Sequence, residues 1–120
     1  MLKKLPASEG NILEYEVDGK LTEEESQEAT REVEQMIEQH GSIKILEYAV
    51  NMPKVDVSSM KEYFSFAKDN MKHVDKYALV TDSHIAAAAV KASDAVTKAN
   101  FRTFGTEDLE KARVWLRKAD

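Results

Sequence analysis

Tyr77-Ala78-Leu79-Val80-Thr81-Asp82-Ser83-His84, followed by Ile85-Ala86-Ala87-Ala88-Ala89-Val90-Lys91-Ala92, is the stretch that decides the fold. Its four apolar residues in a row read as the end of a short buried strand, Asp75 to Val80. Thr81-Asp82-Ser83 is a polar turn without glycine, and Asp82 or Ser83 stands where a helix N-cap is expected. Ile85, Ala88, Ala89, Ala92, Val96 and Ala99 then form one helical face made mostly of methyl groups. The rest of the chain arranges itself around this strand–turn–helix unit.

Before it, Met1 to Leu5 reads as a short edge strand, and Gly10-Asn11 as a turn. In Ile12 to Val17, the residues Leu13, Tyr15 and Val17 alternate with Glu14 and Glu16, which predicts a half-buried strand with one polar face. An antiparallel hairpin with the first strand fits the short separation. Thr22-Glu23-Glu24-Glu25 opens a helix with a capping-box spacing. Ala29, Val33, Met36, Ile37 and His40 recur on its inner face, Glu28, Arg31, Glu32, Glu34, Gln35 and Glu38 lie on a solvated one, and Gly41 stops it. Ile43 to Val50 is a denser, more central strand. An irregular loop, Asn51 to Val57, leads to a helix capped by Ser58 or Ser59, with Met60, Tyr63, Phe64, Ala67 and Met71 on one side and Phe66 at its flank. After the central unit, Phe101 to Phe104 is a last strand, and Thr106-Glu107-Asp108 starts a final helix with Leu109, Ala112, Trp115 and Leu116 inward.

Strands alternating with helices predict an α/β fold with right-handed crossovers: a mainly parallel, mixed five-stranded sheet with about four helices. The 120 residues suit one domain spanning 1–120. The chain has no cysteine, which excludes disulfides and thiolate metal sites. A net charge of −5 disfavours binding to a phosphate backbone, so no nucleic-acid partner is expected. The longest apolar run, Ile85 to Val90, is too short to cross a bilayer, and the start does not read as a signal peptide. The expected location is the cytoplasm, with peripheral membrane contact left open.

Open α/β sheets collect ligands beyond the carboxyl ends of their strands. Here those ends supply Asn51 to Ser59, Thr81 to His84 and Phe104 to Thr106. The helix starts at Ser58/Ser59, Ser83 and Thr106 bring hydroxyls and free N–H groups that suit an anion, or act as ordinary caps. Asp56, Thr81, Asp82, Ser83 and His84 form the expected binding edge. Asp82 and His84 are two ligands where a metal needs three or four, so no metal is expected. A Ser59–His84–Asp56 triad lacks a strained nucleophile turn. With no glycine-rich loop, no nucleotide cofactor is expected. Met52, Val55, Val57 and Phe66 are candidates for an apolar lip over a groove.

Two stretches carry a resemblance to a known family: Tyr77-Ala78-Leu79-Val80-Thr81-Asp82 with its alanine helix, and Arg102-Thr103-Phe104-Gly105-Thr106-Glu107-Asp108-Leu109-Glu110-Lys111-Ala112-Arg113-Val114-Trp115-Leu116. With the order of elements, they resemble the SpoIIAA-like family, small bacterial proteins related to STAS domains and, by fold, to CRAL-TRIO lipid-transfer domains. The STAS relationship implies a phosphorylated serine in an Asp-Ser-Ser-Gly type of turn. The nearest match is Asp56-Val57-Ser58-Ser59-Met60, with the acid displaced by one residue and the glycine missing, so only Ser58 and Ser59 carry over as phosphorylation or anion candidates. The CRAL-TRIO relationship implies an apolar cavity under a helix, here Ser58 to Lys72, with Phe64, Phe66, Met71, Ile85 and Ala89 as ligand contacts. The resemblance thus implies a non-enzymatic binding or regulatory module. Its expected partner is a protein or a second copy in a homodimer; the alternative is a lipid or small apolar ligand.

Overall fold

Tyr77, Ala78, Leu79 and Val80 are all buried, with Tyr77 and Leu79 facing one way and Ala78 and Val80 the other. In the computed structural model, which describes residues 1–19, 22–51, 71–82, 84–88 and 101–118 (Met71 by its backbone only), they belong to strand β4, Val74–Val80. The other strands are β1 (Leu2–Lys4), β2 (Ile12–Asp18), β3 (Ile43–Val50) and β5 (Phe101–Phe104). They lie side by side in chain order, β1-β2-β3-β4-β5. β1 pairs antiparallel with β2, and every later pair is parallel. The mixed five-stranded sheet, the opening hairpin and the central place of β3 are as expected.

Three helices are described: α1 (Glu23–His40), a helical segment α2 (84–88) and α3 (Leu109–Arg117). The expected fourth, from Ser58 to Lys72, lies outside the described residues up to position 70; Met71–His73 forms a 3-10 turn before β4 rather than a last α-helical turn. Strands in simple chain order with crossovers of one hand place those crossovers on one face of a sheet. Accordingly, Val33, Met36 and Ile37 of α1 and Ala88 of α2 share one cluster with Ile43, Ile45, Ala49, Tyr77 and Leu79. The opposite face is left to α3. Ala112 and Leu116 are buried there with Leu46, Ala78 and Val80, and Leu109, Trp115, Tyr48 and Phe104 pack around them.

That arrangement overturns the expectation of a solvated face on β2. Glu14 is fully buried, with 0% exposure. Its carboxylate accepts from Arg113 Nε at 3.0 Å and from Arg117 Nη2 at 3.1 Å, both on α3. Burial works against the charge on Arg113, but the carboxylates of Glu14 and Glu110 outweigh it and raise its pKa. At the C-terminal end of α3, the Lys76 ammonium donates to the carbonyls of Trp115 (2.9 Å) and Lys118 (2.7 Å), where the helix dipole favours a cation. The same group lies 5.1 Å from the centre of the Trp115 ring.

α1 begins as its sequence predicts. Glu25 N–H donates to Thr22 Oγ1 and Thr22 N–H to Glu25 Oε1, each at 3.1 Å. Glu25 Oε2 also accepts from Leu2 N–H at 2.7 Å, so one carboxylate closes both a helix start and part of the edge strand. Gly41 terminates the helix with φ +81°, a backbone that favours glycine, and its N–H donates to Ile37. His40, expected on the inner face, is exposed. Glu32, expected to be solvated, instead accepts from the Tyr15 hydroxyl and from Lys4 Nζ. The Thr106 expectation is also corrected. Thr106–Asp108 is a 3-10 turn after Gly105, and α3 starts at Leu109 with no side-chain cap from Asp108.

Two predictions follow from these contacts. Replacing Glu14 by alanine strands two arginines at a buried site and is expected to cost about 3 kcal/mol in urea unfolding, whereas Glu110→Ala, which removes an exposed partner of Arg113, costs less than about 1 kcal/mol. The N–H groups of Thr22 and then Leu2 hold the Glu25 carboxyl below its ordinary pKa. A lowered folded-state value means stability that is present above the unfolded pKa and lost as pH falls through the folded one. The urea midpoint of Glu25→Gln should therefore fall less steeply from neutral to acid pH than that of the unsubstituted chain.

Candidate functional site

Because β2 to β5 are parallel, their carboxyl ends share one rim of the sheet. Register aligns them closely: Asp18 lies beside Val50, Tyr48 beside Val80, and Val80 beside Phe104. The outer two of these junctions are tied by backbone. Gly19 N–H donates to Val50 at 3.0 Å, and Thr81 N–H to Phe104 at 2.9 Å. Immediately after β3, Asn51 takes a left-handed conformation with φ +52°, which asparagine tolerates better than most residues. Its side-chain amide donates to Asp18 Oδ1 at 3.0 Å, linking the ends of β2 and β3.

The central rim residues divide into buried and exposed groups. Thr81 is 1% exposed, and its hydroxyl has no hydrogen-bond partner among the described residues. Asp82 is exposed, and its Oδ1 accepts from Ile85 N–H at 3.1 Å, so Asp82 caps α2 as one of the two expected alternatives. His84 is exposed at the first position of α2, while Ile85 is buried. The structure thus brings Asn51, Thr81, Asp82 and His84 to one rim. Ile85, expected to contact an apolar ligand, is a core residue, and Ala88 beside it packs on the sheet. Asp56, Ser58, Ser59, Phe64, Phe66, Ser83 and Ala89 lie outside the described residues, as does the side chain of Met71.

Two polar features escaped the sequence reading. On the α1 side of the sheet, the Tyr77 hydroxyl donates to the buried Glu47 carboxylate at 2.9 Å, and the Tyr77 ring stacks on Phe101 with centroids 5.5 Å apart. Glu47 follows an apolar run, and only the strand register shows it beside β4. The second is an open groove of about 480 Å³ between β1 and α1, lined by Leu2, Lys4, Tyr15, Glu28, Ala29, Arg31, Glu32 and Gln35. Burial first, and then the hydrogen bond to Glu32, raises the Tyr15 pKa well above the ordinary phenol range, so the hydroxyl remains a donor. Among the described residues no helix is long and apolar enough to cross a membrane.

The Thr81 hydroxyl, unpartnered among the described residues, has a measurable consequence. A buried polar group without a partner costs about 1–3 kcal/mol. Thr81→Val keeps the branched shape and removes that group, and is expected to raise the melting temperature by roughly 3–6 °C, about 1 kcal/mol for a domain of this size. A scanning calorimetry trace with an unchanged or lower Tm would show that the hydroxyl is satisfied in solution.

Comparison with known proteins agrees with this architecture. No curated protein and no solved structure matches the chain significantly. A family model described as SpoIIAA-like matches residues 12–117, from the first residue of β2 to the last of α3. The chain belongs to the SpoIIAA-like family.

Proposed function

We propose that the chain is a non-enzymatic regulatory module that works by docking a protein, or a second copy of itself, on the carboxyl rim of its sheet. Family membership suggests a STAS-like module. The observation that carries the docking reading is the side-by-side ending of β3 and β4, which brings Asn51, Thr81, Asp82 and His84 to one rim with Asp82 and His84 exposed and Thr81 buried. Docking needs a rigid base, and the backbone ties at Val50 and Phe104 supply one. Ser58 and Ser59 follow Asn51 by seven and eight residues. That length spans at most about 3.5 Å per residue, so a modification there stays within roughly 28 Å of the rim. A phosphate would add up to two negative charges a few residues from Asp56 in the chain and alter which partner surface fits. In this proposal the module works in the cytoplasm.

A second proposal is a small apolar or lipid ligand of the kind that CRAL-TRIO-like pockets hold. What motivates it is the methyl-rich pattern from Ile85 to Ala99 in the sequence, with Phe64, Phe66 and Met71 as its counterpart; Ile85 itself is buried in the core and Ala88 packs on the sheet.

Both readings have direct tests. The double variant Asp82→Lys, His84→Glu reverses or adds charge at exposed positions and, because Asp82 caps α2, should cost about 1 kcal/mol of stability. It is expected to weaken partner capture, or self-association in sedimentation, at least tenfold; retention of wild-type binding would refute the rim as the docking surface. Ser58→Asp with Ser59→Asp should shift the same binding measurement. For the second reading, native mass spectrometry of freshly purified protein should show an adduct of lipid mass that denaturation releases, and a consistently bare chain refutes it.

A further inference from the structure

We draw no further inference here: the strongest candidate, the open polar groove between β1 and α1, carries nothing, because its Tyr15 and Lys4 side chains are already engaged by Glu32 while Glu28, Arg31 and Gln35 lie exposed on the outer face of α1, so no buried polar group in it calls for a ligand.

Discussion

Strands laid down in chain order leave a sheet with a problem that, among the described residues, one helix is placed to solve. The crossover elements α1 and α2 both sit on one face, so the other face of β3 and β4, with Leu46, Ala78 and Val80, depends on α3. Hydrophobic burial by Ala112 and Leu116 supplies the non-directional part of that contact. The directional part is ionic. Glu14, from the second strand, reaches two arginines 99 and 103 residues later, and Lys76 closes the helix end. A buried ion pair adds little net stability, because desolvation offsets attraction. Its loss is costly: a helix rotated so that both arginines leave would strand the Glu14 charge, whereas a shift of one turn would still leave it one arginine, because the two are four residues apart.

The two long edges of the sheet are treated differently from its ends. On β1, the Leu2 N–H is taken by Glu25, and the lysines at positions 3 and 4 discourage pairing with another chain. The carboxyl rim, by contrast, is tied together by backbone while presenting polar side chains outward. Asn51 accepts an unfavourable backbone region there, and Thr81 keeps a hydroxyl out of water without a hydrogen bond among the described residues. Local compromises of this kind gather where a fold has a task besides holding itself together. A docking role for the rim gives these two features one explanation.

How much was legible in the sequence follows from the range of the interactions. The capping box at Thr22 and Glu25, the glycine stop at Gly41 and the cap at Asp82 are contacts between residues three or four apart, and their signals are local. Apolar runs and alternation placed all five strands to within a residue or so. The polar alternation of β2 misled because Glu14 looks solvated until α3 is brought over it. Glu32 misled in the same way, since its partners Tyr15 and Lys4 belong to strands. Thr106 resembled a cap, yet a 3-10 turn intervenes before α3 begins. The rim was legible in part: parallel strands force their ends together, so Thr81, Asp82 and His84 could be gathered on paper, but not the division into one buried hydroxyl and two exposed groups.

By itself, the amino-acid sequence determined the alternating strand–helix order, the mainly parallel sheet and the family, because periodicity, caps and turn residues act over a few neighbours. Tertiary structure alone decided which charges are buried. Glu14 read as part of a polar face and nothing in the sequence singled out Glu47 or Lys76, yet each is buried beside a partner brought there by the fold rather than by the chain. The free energy of a charge depends on what surrounds it in space, and sequence adjacency carries no record of that surrounding.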